Sequence, residues 1–140
     1  EKNLNYDKKS TFLKFKKRVD IQKKKLVDLL KKLKKKKKKV YGYGASTKGN
    51  TLLQYYKINE DLISGIAERQ TQKVGLKTVG SWIPIISEEQ MRKIKPDYML
   101  VLPWQFIHEF IRREKKYLKE GGKFIVPLPE VKIIGKEYIE

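Results

Sequence analysis

The sequence predicts an α/β fold, a doubly wound and mostly parallel Rossmann-like sheet preceded by a long amphipathic N-terminal helix. Three observations carry that prediction. Apolar residues recur at three- and four-residue spacing from Phe12 to Leu33, the period of a helix with one apolar face. Beyond Val40 short apolar runs rich in β-branched and aromatic residues alternate with helical stretches, the pattern of βαβ units. The first of those runs ends in Gly42-Tyr43-Gly44, a glycine turn of the kind that joins a strand to a helix.

The elements follow in order. Residues 1–10 are polar and are expected to be a frayed N-terminus. Ser10 or Thr11 is the expected cap of a basic amphipathic helix within residues 11–39. Its stripe is Phe12, Phe15, Val19, Gln22, Leu26, Leu29 and Leu33, widened by Leu30, with a lysine-coated back. Lys34 to Lys39 are six consecutive lysines, where the helix is expected to lose order. Residues 40–140 are then the Rossmann-like domain. Val40 to Gly44 reads as a first strand and Thr47 to Tyr56 as its helix, with Leu52, Leu53 and Tyr56 inward. Leu62 to Ala67 reads as a second strand and residues 69–86 as a long connection. Ser87-Glu88-Glu89-Gln90 has capping-box chemistry and opens a short helix. Asp97 to Leu102 is continuously apolar in its last five residues, as buried parallel strands are. Trp104 to Leu118 reads as a helix ended by Gly121-Gly122. Lys123 to Pro127 is a further strand, and Val131 to Ile134 is the last candidate.

Composition bounds the function. The 140 residues suffice for one domain with a core. The chain has no cysteine, which excludes disulfides, zinc–thiolate sites and cysteine nucleophiles, and fits a reducing, cytoplasmic setting. No apolar run approaches the ~20 residues of a membrane span, and no signal-peptide core follows Glu1-Lys2-Asn3-Leu4. The chain lacks an initiator methionine and reads as part of a longer one. The formal charge is +18, and it is unevenly placed. Residues 1–40 hold 18 Lys+Arg against 4 Asp+Glu, whereas residues 41–140 hold 16 against 12. The basic character therefore belongs to the leading helix and speaks to solubility more than to the site.

The strongest candidate for chemistry is the first strand-to-helix turn, Gly42 to Thr51. Unpaired N–H groups and the helix dipole favour an anion at such a helix start, and Ser46, Thr47, Lys48 and Asn50 add donors. Two phosphate motifs nearly fit. The dinucleotide fingerprint wants a third glycine three residues after the second, but here Gly49 comes later than that. The Walker loop wants a lysine immediately after its second glycine, but Asn50 stands there and Lys48 lies before Gly49.

The string Tyr41 to Tyr55, YGYGASTKGNTLLQY, resembles the signature of the C-terminal domain of SAM-dependent sugar C-methyltransferases. The likeness continues through Ile83-Pro84-Ile85, Lys95-Pro96-Asp97-Tyr98 and Leu100 to Trp104, and ends in the run Gly121 to Pro129. The resemblance implies a longer enzyme with a cysteine-rich zinc segment, a central domain binding S-adenosylmethionine and this Rossmann-like domain. It implies methylation of a carbon beside the carbonyl of a nucleotide-linked keto-sugar, the base and methyl donor belonging to the central domain. This chain is then expected to bind the nucleotide-sugar substrate, to bind no cofactor of its own, and to transfer no methyl group alone. Two stretches depart from the family pattern. Glu68-Arg69-Gln70-Thr71 stands where Asp-Arg-Asn-Pro is usual, and Trp82 replaces a histidine.

The candidate substrate-binding residues are Tyr43, Ala45, Ser46, Thr47, Lys48, Asn50, Glu68, Arg69 and Trp104. Glu68 ends the second strand, where doubly wound folds often place a ribose-binding acid, though a solvated charge fits equally. Arg69 is a phosphate partner or an exposed charge. Trp104 stacks on a base or sugar, or packs in the core. His108 has no motif partner and is assigned no base role. Two alternatives stay open: a free-standing dinucleotide-binding module, and a nucleic-acid or anionic-surface binder acting through the lysine-rich helix. The run Lys34 to Lys39 carries no interleaved aromatics of the kind that stack bases, which disfavours nucleic acid; no membrane partner is expected.

Overall fold

The computed structural model describes residues 2–139, with side chains from Lys9 onward. Six strands form one sheet in the order β3-β2-β1-β4-β5-β6. They are β1 Val40–Tyr43, β2 Ile66–Glu68, β3 Ile85–Ser87, β4 Tyr98–Val101, β5 Lys123–Val126 and β6 Lys132–Ile134. Neighbours are parallel throughout except β6, which returns antiparallel against β5. The expected α/β architecture is therefore present. The chain order reverses between β1 and β4, so the switch point at which open sheets bind ligands lies at the C-terminal ends of those strands.

The helices are α1 Lys2–Lys35, α2 Thr47–Tyr55, α3 Glu88–Ile94, α4 Ile107–Arg113 and α5 Lys115–Lys119. They cover both faces of the sheet. Side chains alternate along a strand, so Val40, Leu100 and Ile125 pack with α1 and α2 on one face, while Tyr43, Met99, Val101 and Phe124 pack with α3, α4 and α5 on the other. Both faces being covered explains why β4 is a continuous apolar run.

The apolar stripe of α1 is divided. Leu26, Leu30 and Leu33 are buried against this chain's own sheet, and the polar member Gln22 is accounted for, since its Oε1 accepts the Val131 N–H at 2.8 Å. Phe12 and Phe15, on the same stripe, are 64% and 61% exposed. The expected cap at Ser10 or Thr11 is corrected: α1 already includes Lys2, so both hydroxyl residues lie inside it. The helix does end within the lysine run, where Lys37 adopts a left-handed φ of 59°.

Other boundaries shift for local reasons. The second strand begins at Ile66 rather than Leu62, because Leu62 and Ile63 turn back on Asn59 through N–H donation at 3.0 and 3.1 Å. The connection 69–86 hides the edge strand β3. The expected single helix 104–118 opens as a 3-10 turn at Trp104–Phe106 and breaks at Glu114, whose φ of −105° and ψ of 32° turn its carboxylate inward beneath β1. Ser87 caps α3 as its sequence predicts, its Oγ accepting from the Gln90 N–H at 3.0 Å.

Candidate functional site

The turn after β1 is shaped by two glycines. Gly44 has φ +83°, and a Cβ there would meet Pro103 at 2.8 Å. Gly49 sits against β4's exit, where a Cβ would collide with the Leu102 side chain. Close helix–strand packing is the role of the third glycine in the dinucleotide fingerprint. Gly49 fills that role from a longer turn, which is why the fingerprint spacing fails. Ser46 caps α2, its Oγ accepting the Gly49 N–H at 3.0 Å, an ordinary N-cap arrangement.

Two cavities flank this turn at the sheet's C-terminal edge. One is a cleft of about 370 Å³ on the α4 side. Its aromatic floor is Tyr43, Phe106 and Phe110, and Ala45, Ser46 and the Glu68–Gln70 segment form a wall. The other is an apolar hollow of about 340 Å³ on the α1 side, lined by Thr47, Lys48, Trp104, Leu128 and Val19. The start of α2 is the ridge between them. Trp104 also borders a groove of about 930 Å³ between α4 and the β5–β6 connection, where His108 lies.

The structure thus groups Tyr43, Ala45, Ser46, Glu68 and Arg69 in one cavity and Thr47, Lys48 and Trp104 in another. Asn50 lines neither; its Oδ1 is buried without a hydrogen-bond partner among the described residues. Tyr43 contributes its ring to the floor, while its hydroxyl points into the core and donates to Glu114 Oε2 at 2.9 Å. Burial, reinforced by the Glu114 carboxylate, raises the Tyr43 pKa far above 10.0. Glu68 is buried with both oxygens engaged: Oε2 accepts from the Ala45 N–H at 2.9 Å and Oε1 from the Gln70 N–H at 3.0 Å. It latches the β1–α2 turn to the end of β2.

Three cleft residues escaped the sequence reading. Lys73, from the long connection, reaches across to donate to the Ala45 carbonyl at 3.0 Å. Arg113 of α4 and Glu88 of α3 pair with each other, Arg113 Nη2 lying 2.6 Å from Glu88 Oε1. Behind them Arg92 Nη2 bonds the buried Glu114 at 2.9 Å, and that bond holds the Arg92 pKa above its ordinary value. The cleft therefore carries cations at Arg69, Lys73 and Arg113, and both of its carboxylates are occupied by internal donors.

A model of the C-methyltransferase C-terminal domain family matches residues 1–129. The chain belongs to that family. It is similar to the C-methyltransferase NovU of Streptomyces niveus, with 43% identity over 100 residues, which are 71% of this chain and 24% of NovU. The chain thus spans about a quarter of that relative's length. Among the described residues no helix is long and apolar enough to cross a membrane.

Proposed function

We propose that this chain is the substrate-holding part of a SAM-dependent C-methyltransferase acting on a keto-sugar, and that it binds a nucleoside-diphosphate sugar. The observation that carries the reading is the pair of cavities on either side of the α2 start, at the switch point of a chain of this family. A nucleotide sugar is an extended ligand with a charged centre. Its diphosphate suits the ridge at Ser46 to Lys48, where helix-terminal N–H groups favour an anion. One end enters the cleft over Tyr43 and Arg69, and the other enters the hollow beside Trp104.

The residues here do not fit a methyl donor in the manner of a dinucleotide. Glu68, the acid in position to take ribose hydroxyls, already accepts two backbone N–H groups. Glu88 is paired with Arg113 and lies 3.9 Å from Arg92 as well, so neither cleft carboxylate is free to act as a base. These contacts support a division in which base and S-adenosylmethionine belong to another part of the same enzyme, and this chain alone transfers no methyl group. The lack of cysteine fits a reducing, cytoplasmic setting.

Calorimetric titration with a panel of nucleoside-diphosphate sugars tests the reading. Saturable binding is expected, weakened several-fold by Lys48→Ala if the lysine meets the diphosphate. A folded chain that binds no member of the panel at millimolar concentration while binding NAD saturably would replace this reading with the dinucleotide-binding one.

A further inference from the structure

In and behind the cleft wall, two carboxylates and two arginines form two pairs with unequal commitments. Glu114 is 3% exposed and is held by Tyr43 and by Arg92. Glu88 is held by Arg113, and it also lies 3.9 Å from Arg92 Nη2. Both arginines reach both carboxylates, Arg113 Nε lying 3.9 Å from Glu114 Oε2, but only Arg113 lines the cleft. Its guanidinium lies 5.7 Å from the Tyr43 ring centroid and 5.9 Å from that of Phe110, so a planar cation rests on the aromatic floor. If Arg113 turned away, Glu114 would lose the 3.9 Å contact but keep its hydrogen bonds from Tyr43 and Arg92, and Glu88 would keep Arg92 at 3.9 Å. Arg113 can therefore leave without stranding a buried charge.

Of the nearby alternatives for recognising an anion, Arg69 stands exposed at the cleft wall, while two others are engaged. The Ala45 N–H, first of the turn's donors, is taken by Glu68, and Lys73 is engaged with the Ala45 carbonyl. Arginine's fork matches phosphate oxygens as it matches a carboxylate, so Glu88 occupies the place of an anionic ligand. We propose that Arg113 is an anion-recognising residue of the cleft and that it exchanges Glu88 for the phosphate of the incoming ligand's diphosphate that reaches from the Ser46–Lys48 ridge into the cleft. This rests on the reading of the cleft as a nucleotide-sugar site. The exchange costs little net, because Glu88 keeps Arg92 and the incoming anion restores the contacts that Arg113 gives up.

The test compares inorganic pyrophosphate and uridine diphosphate glucose by calorimetry on the 140-residue chain and three variants. Arg113→Gln is expected to weaken both ligands by about ten-fold or more, the scale of a charge-assisted hydrogen bond. Glu88→Gln is expected to tighten both several-fold, because the internal competitor is gone; damage to the fold would act in the opposite direction. In the double variant the tightening should vanish. Tightening that persists without Arg113 would reveal only a general change in local charge and overturn the proposal, as would wild-type affinity in Arg113→Gln or no binding of either anion to any variant. If pyrophosphate binds in an Arg113-dependent way but uridine diphosphate glucose binds no better, the arginine's role stands and the nucleotide-sugar reading fails. If the sugar nucleotide binds well and ignores Arg113, the reverse holds.

Discussion

The two faces of the sheet are held by different physics. On the α1 side the packing is hydrocarbon: Leu26, Leu30, Leu33, Leu53 and Leu100 meet around Val40 and Ile66. On the α4 side an apolar layer of Met99, Val101 and Phe124 also encloses the Tyr43–Glu114–Arg92 network. The first face resists separation through area removed from water, which is indifferent to pH. The second keeps charged groups near the switch point, where a ligand can use them, and its strength depends on their protonation. The largest predicted effect belongs to the first face. Leu30→Ala should cost about 3 kcal/mol, through lost burial and the cavity it leaves. Urea unfolding should show that loss undiminished from pH 7 to pH 10.

Tyr43→Phe tests the other face and should be milder, about 1 kcal/mol at neutral pH, because the buried Glu114 carboxylate loses a donor but keeps Arg92. Its signature is the pH dependence. Burial first, and Glu114 second, raise the Tyr43 pKa above its ordinary 10.0, so the folded state favours the neutral phenol. That contribution is complete below the pKa of the unfolded chain and is lost as pH rises above it. The wild type should therefore lose stability above about pH 10 faster than Tyr43→Phe does, and the gap between them should close. A constant gap across that range would mean that the fold does not hold the Tyr43 phenol in its neutral form.

The same contrast explains what the sequence could show. Hydrocarbon packing leaves a period behind it, so the buried half of α1 and the continuous run of β4 were both legible. Ile85-Ile86-Ser87 is too short to display a period and lies behind Trp82 and Pro84, so in the sequence β3 reads as connection. The turn residues Ala45 and Ser46, with Glu68 and Arg69, were legible because the ends of adjacent parallel strands must meet at one edge. Lys48 was placed with them but faces the other cavity, since α2 turns it about 100° per residue away from the cap. Arg113 and Glu88 gave no signal. Charges on amphipathic helices look like solvated ones, and nothing local shows that the break at Glu114 swings α4 over the cleft.

The smallest predicted effect concerns the unburied end of the α1 stripe. Phe12 and Phe15 continue the line of Leu26, Leu30 and Leu33 but pass beyond the sheet, and both are more than half exposed. An apolar side chain that stays in water when the chain folds gains no transfer free energy from folding. Replacing both with serine should change unfolding stability by less than about 0.5 kcal/mol, as for other surface positions, against the much larger loss from Leu30→Ala on the same helix face. Thermal and urea unfolding of the two variants side by side measure the difference. Equal losses would show that the stripe is buried along its whole length in solution and that α1 packs as one unit. A loss confined to Leu30→Ala fixes the end of the packed segment near Val19, where the hollow beside Trp104 begins.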